Sequence, residues 1–177
     1  MTTEQFSRDL FQTQGRARNE IREVLQAVFT AELLLPSKSL WLVSPWITNE
    51  GVINNEAGSF RALTSDSTRT QLGLAQILNM LFEKGTTIHV VTKPLASTNF
   101  VQHLRRLCRS GIESGRVQII EKEELHAKGL IGDTYCISGS MNFTFSGMTR
   151  SDEILSLTTD KERISRLRTE FIAEYGI

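Results

Sequence analysis

Only two cysteines occur in the 177 residues, Cys108 and Cys136, and no CxxC pair is present. A disulfide framework and a cysteine zinc site both need more thiols at closer spacing, so neither is expected. An excess of one charge is also missing, because 20 basic and 20 acidic side chains cancel. That excludes a DNA coat held by bulk positive charge, though not a local basic groove. Long apolar runs are absent. The longest cover a few residues, against the roughly 20 needed to cross a bilayer as a helix. Residues Met1 to Gly15 carry Glu4, Arg8 and Asp9 without an apolar stretch, so they do not read as a secretory signal. A cytoplasmic protein with no stable membrane association is expected. Repeats and low-complexity tracts are lacking too. What is present suits a globular domain: 40% of residues are hydrophobic and 23% charged. At this length such a chain buries on the order of 70% of its extended surface.

Residues 1–17 read as a loosely held N-terminal lead-in to a single domain over 18–177. Between Arg18 and Leu35, the apolar residues Ile21, Val24, Leu25, Val28, Leu33 and Leu34 recur at helical spacing. Pro36 ends that helix. Residues 40–43 form a short apolar run that reads as a buried strand. Residues 47–68, rich in Asn, Gly, Ser and Thr, are too many for an ordinary connection and make a candidate functional loop. The pattern then predicts a helix over 70–84, a strand over 87–92, a helix from 98 or 99 to 110, and a strand over 117–120. Strands over 125–131 and 135–138 join through the tight turn Gly132-Asp133-Thr134. A last strand covers 154–157, and Asp160 opens a terminal helix. Strands alternating with helices predict an α/β fold with helices on both faces of the sheet.

The chemistry is concentrated between Glu124 and Glu153. His126 and Lys128 stand two apart on a predicted strand, which places both side chains on one face and makes a place for an anion. Asp133 follows in the turn, and then Gly139-Ser140-Met141-Asn142. Glycine lets the backbone approach a ligand closely. The Ser140 hydroxyl and Asn142 amide offer donors without adding charge. These groups suit a phosphodiester: Lys, Ser and Asn stabilise the charge that builds on the non-bridging oxygens, while an imidazole attacks phosphorus.

The segment HAKGLIGDTYCISGSMN resembles the signature of the phospholipase D superfamily: a histidine, any residue, a lysine, four residues, an aspartate, then Gly-Ser-any-Asn. His126, Lys128 and Asp133 match the first part, and Gly139, Ser140 and Asn142 the second. The interval between Asp133 and Gly139 holds five residues, one fewer than is usual in the family. The resemblance implies a phospholipase D-like α/β fold, a mixed sheet flanked by helices on both faces, and a metal-independent, cofactor-free phosphodiesterase. It implies that His126 is the nucleophile and that Lys128 and Asn142 grip the phosphate, with Ser140 as a nearby donor. Asp133 would act structurally and electrostatically near the motif. Glu153 sits where many members place an acid that orients an imidazole. Such enzymes use two copies of the motif, and this chain has one. Single-motif relatives homodimerise, so a shared active site with one His126 from each subunit is expected.

Other residues bear on the substrate. Residues 84–128 hold eight Lys or Arg and four Glu. Arg105, Arg106 and Arg109, on one predicted helix, flank a candidate polyanion groove. Trp46, just after a predicted strand, is placed to stack a base or wall the pocket. Nucleic acid, DNA or RNA, is the expected substrate. The alternatives are a phospholipid hydrolase and a noncatalytic nucleic-acid-binding or scaffolding subunit of a bacterial DNA restriction system. Short members of the superfamily include a group associated with deazapurine DNA modification, which this chain resembles.

Overall fold

Alternation along the central strands decides the layers. In β2 (Ser39–Val43), Leu40 and Leu42 point into one apolar cluster and Trp41 and Val43 into another. In β5 (Thr87–Thr92), Ile88 and Val90 take the first side and Val91 the second. Period two thus puts a core on each face of the sheet. The computed structural model describes residues 5–13, 19–54 and 70–176. The seven-stranded sheet runs β1-β9-β8-β7-β2-β5-β6. Its strands are completed by β1 (Ser7–Gln12), β6 (Val117–Glu121), β7 (Gly129–Ile131), β8 (Cys136–Gly139) and β9 (Glu153–Thr158). Strands β2, β5 and β6 are parallel, and the remaining pairings are antiparallel. A small separate hairpin pairs β3 (Gly51–Asn54) with β4 (Gln71–Gly73).

The helices divide between the two faces, as the sequence predicts. Helix α1 (Glu20–Leu34) buries Ile21, Leu25, Phe29 and Leu33 at helical spacing. It joins α2 (Leu74–Glu83) and α3 (Thr98–Leu107) over the first core. Helix α6 (Lys161–Tyr175) covers the second core through Ile164, Leu167, Phe171 and Tyr175. Asp160 caps it, accepting the N–H groups of Glu162 and Arg163 at 2.9 and 3.3 Å. Two short helices remain, α4 (Arg109–Glu113) and α5 (Phe145–Thr149). Both cysteines are free and buried. Burial pushes their thiols up, Cys108 to about 12 and Cys136 to about 11, so both stay as neutral core groups at pH 7.

Three sequence expectations change. The N-terminal lead-in contributes β1, which pairs with β9 from Ser7↔Thr158 to Gln12↔Glu153. Its alternation is short, because Leu10 and Gln12 alone are buried, and that hid it. The arginine helix breaks at Cys108, which leaves Arg109 on α4. Within the expected loop at 47–68 lies β3, and residues 55–68 of that loop fall outside the described residues.

Candidate active site

Register brings several chain ends to one edge of the sheet. Val43 pairs with Val91 and Gly129, Gly129 with Ser138, and Gly139 with Leu155. The residues just beyond these pairs therefore share that end. They are Ser44 to Trp46 after β2, Lys93 after β5, Lys128 before β7, Ser140 to Asn142 after β8, and Glu153 opening β9. Ligands of α/β sheets bind at this end, outside the carboxyl ends of the parallel strands.

Asn142 is held from two sides. The Ser44 hydroxyl is shared between the Trp46 carbonyl at 2.8 Å and Asn142 Oδ1 at 3.2 Å, and it accepts Phe143 N–H at 3.3 Å. An isolated parallel bridge joins Ile47 to Phe143, with Thr48 N–H donating to the Phe143 carbonyl at 2.9 Å. Gly147 lies so close to the Asn142 carbonyl that a Cβ there would collide with it. With Oδ1 engaged, the amide nitrogen of Asn142 is the group left for an anion.

Ser140 is fixed against β9. Its N–H donates to the Ile154 carbonyl at 2.9 Å, and its oxygen accepts Ile154 N–H at 3.0 Å. Its hydroxyl donates to Glu153 Oε2, so its proton is engaged rather than free for substrate. Gly139 permits the crossing, since a Cβ on it would run into the Ile154 carbonyl. Glu153 is buried, 8% exposed, and its hydrogen bond goes to Ser140. No hydrogen bond joins it to His126 among the described residues.

His126 and Lys128 stand ahead of β7 and not within it. The predicted strand from Leu125 shortens to Gly129–Ile131 because its partner leaves. Ser44 N–H turns to the Val91 carbonyl at 3.0 Å, and Pro45 has no N–H with which to continue the ladder. His126 and Ala127 are both exposed, so strand alternation does not hold there. Leu125, 3% exposed, anchors the segment in the core under α6. Lys128 Nζ donates to the His126 carbonyl at 2.8 Å, which ties the two residues together and leaves the imidazole at the surface.

Asp133 is not at this site. It lies in the turn beyond the far end of β7. There it accepts Lys38 N–H at 2.7 Å and meets Arg168 at 3.1 Å. Its own N–H donates to Ser37 Oγ at 2.8 Å. The three residues of β7 separate it from His126.

Trp46 does stand at the site end, 45% exposed, with Lys93 Nζ 5.8 Å from its ring centroid. Its loop is pinned: Thr92 Oγ1 donates to the Pro45 carbonyl at 3.1 Å, and Ile47 N–H donates to Ser97 Oγ at 2.8 Å. The arginines lie elsewhere. Arg105 and Arg106 occupy the last turn of α3, roughly 12 Å along the helix from its start near the site. Arg106 donates to His103 Nδ1 at 3.0 Å, and Arg109 pairs with Glu113. Sequence reasoning missed Ser44 and Lys93. Each follows a strand, beside Pro45 and Pro94, and those strand-ending prolines were the available signal. His89 is a core residue, stacked on Trp41 with ring centroids 4.3 Å apart. Among the described residues no group of three or more His, Cys, Asp or Glu is placed to hold a metal.

Comparison with known proteins agrees with this layout. The family model described as "Cardiolipin synthase, PLD-like domain" matches residues 37–175. No curated protein matches. Among solved structures, NucT from Helicobacter pylori superposes with a TM-score of 0.63 at 12% identity, covering 95% of this chain and 94% of that one. Nuc from Salmonella typhimurium, a phospholipase D family member, gives 0.60 at 13% identity, covering 97% and 94%. Phosphatidylserine synthase from Haemophilus influenzae Rd KW20 gives 0.64 at 17% identity, covering 97% of this chain and 39% of that one. With the family model spanning most of the chain, and with Lys128, Ser140 and Asn142 of the motif brought to one end of the sheet, this protein belongs to the phospholipase D-like family.

Proposed function

We propose that this chain is a metal-independent nuclease that cleaves DNA or RNA as a homodimer with a shared active site. One juxtaposition carries the reading: an exposed imidazole on His126, tied to Lys128, at the sheet end that also presents the Asn142 amide. Lys128 leaves the His126 carbonyl to neutralise a phosphate oxygen, and Asn142 donates to another. A His126 ring nitrogen attacks phosphorus and forms a phosphohistidine as the P–O bond to the leaving group breaks. The leaving oxygen takes its proton from His126 of the partner subunit. That imidazole then accepts a proton from water, whose oxygen attacks phosphorus and releases His126. Ser140 and Glu153 position the β8–β9 crossing beside Asn142 and touch no reacting atom.

The need for a second copy follows from the lone motif, since His89 is in the core and His103 is engaged on α3. Phe11 and Ile154 face each other across β1 and β9, 65% and 54% exposed, next to Ser140. This apolar pair at the rim gives the second subunit a seat. Trp46 and Lys93 extend the site toward a base and its phosphate. Among the described residues no helix is long and apolar enough to cross a membrane. Zero net charge favours delivery by partner subunits, such as those of a bacterial DNA restriction system, over indiscriminate degradation in the cytoplasm.

The test is cleavage in EDTA of duplex DNA, single-stranded DNA, RNA and phospholipid vesicles. Wild type and His126→Asn are compared, and solution mass is measured in parallel. Nucleic-acid cleavage by the wild-type dimer alone is expected. Exclusive turnover of vesicles makes the enzyme a lipid phosphodiesterase, and full turnover by His126→Asn overturns the mechanism.

A further inference from the structure

We propose that the cleft between α1, the β3–β4 hairpin and α5 is a nucleobase pocket that reads a guanine beside the scissile phosphate. The proposal rests on the nucleic-acid reading for its substrate, but the cleft stands on its own residues.

The cleft holds about 150 Å³, half or less of the roughly 300 Å³ at which drug-sized pockets begin. That space suits one planar ring system. Phe145, Met148 and Thr149 form one wall. They belong to α5, which starts three residues after Asn142 and packs Gly147 on its carbonyl. Glu50 stands three residues after the Ile47–Phe143 bridge that holds the same segment. The helix that walls the cleft is thus packed on the backbone of Asn142.

The lining has the chemistry of base recognition. Phe145 is 40% exposed and lines the cleft, with Arg150 4.9 Å from its ring centroid, so it offers a braced aromatic surface. Arg22 donates to the Gly51 carbonyl at 3.1 Å with one guanidinium nitrogen. Among the described residues no ion pair joins Arg22 to Glu50, although both line the cleft, and the Glu50 carboxylate has no partner. Opposite charges held apart on two walls fit a ligand with acceptors on one edge and donors on the other. Guanine is that base. Its O6 and N7 accept from arginine, and its N1–H and N2–H groups donate to a carboxylate. Cytosine lacks the second ring for the Phe145 surface, and adenine presents a single amino donor.

The experiment titrates the full-length His126→Asn protein with GMP, AMP, CMP and inorganic phosphate by calorimetry. GMP is expected to bind about tenfold or more tighter than CMP or phosphate. Glu50→Gln should erase that preference. Phe145→Leu should weaken GMP and AMP alike, while retained helicity in circular dichroism confirms a folded protein. Equal affinity for GMP and CMP, or a preference that survives Glu50→Gln, overturns the pocket. Cleavage by wild type is read separately, on oligonucleotides with a single guanine placed at either side of the cut. Nucleolysis without base preference removes the pocket and keeps the nuclease. Guanine-selective binding without nucleolysis keeps the pocket and removes the nuclease.

Discussion

Arg168 of α6 reaches Asp133 in the β7–β8 turn at 3.1 Å, at the end of the sheet opposite His126. The same arginine donates to the Gly132 carbonyl at 2.7 Å, and Asp133 also accepts Lys38 N–H. The aspartate of the signature thus clasps α6, the turn and the start of β2.

Asp133→Ala should therefore lower stability and leave the chemistry of the folded protein intact. Loss of the Lys38 bond and of a partly exposed ion pair amounts to about 1–2 kcal/mol. For a chain of this size that is roughly 2–8 °C in melting temperature. Thermal unfolding measures the loss, and turnover per folded molecule checks the chemistry. A melting temperature equal to wild type with activity abolished would return Asp133 to the site.

Removing the proposed nucleophile is a different experiment. His126→Asn should reduce metal-independent cleavage by at least about 10²–10⁴-fold, the span of a lost proton-transfer group, and more because the covalent step goes too. Acid-labile phosphate on the protein, captured in a rapid quench with labelled substrate, should vanish with it. A labelled intermediate in the variant would place the nucleophile elsewhere.

Ser44→Ala tests the positioning of Asn142. The change removes the hydroxyl shared with Asn142 Oδ1 and strands the buried N–H of Phe143. Stability should fall by about 1–3 kcal/mol. If Ser44 acts through Asn142, kcat should fall with it, and Ser44→Thr should restore both. A stable Ser44→Ala protein with unaltered kcat would show that Asn142 orients itself.

Disrupting the rim should break the dimer. Phe11→Asp puts a charge opposite Ile154 on the face where a second subunit would sit. Light scattering should show the monomer mass, with cleavage lost in proportion. A dimeric Phe11→Asp protein would move the interface to another face.

Acid should destabilise the fold through His89. Burial lowers its pKa below 6.5, the hydrogen bond that its Nδ1–H donates to Gln118 Oε1 partly offsets this, and the charge of Arg168 lowers it further. In the unfolded chain His89 takes up a proton near 6.5, while in the folded one it resists to lower pH. Its contribution is complete above 6.5 and is lost as pH falls from 6.5 through the folded value. Glu32 has the opposite slope. Burial raises its pKa above 4.5 against the donors of Ser37, so stability drops as pH rises from 4.5 through the folded value. Melting curves of wild type and His89→Leu between pH 5 and 8 should differ in slope below about 6.5. Parallel curves would show that His89 does not set the acid limb.

Much of the layout was legible because local patterns coincide with burial. The run Leu40 to Val43, the helical spacing from Ile21 to Leu33 and the Asp160 cap each carry their own signal. The candidate site was legible as a list of residues, since His126, Lys128, Ser140 and Asn142 are close in sequence and chemically distinctive. Strand β1 was not, because four of its six residues are exposed and its identity comes from β9.

By itself the sequence determined the family, the two-faced sheet and the candidate site residues, through side-chain type and spacing. Tertiary structure decided which of those groups meet. It sent Asp133 to the far end of β7, bound the Ser140 proton to Glu153, and brought Ser44 to Asn142 across 98 residues. The physical reason lies in strand register. A hydrogen-bonded ladder assigns each residue to one end of the sheet, and that assignment depends on where its neighbour stops, as β2 does at Ser44-Pro45.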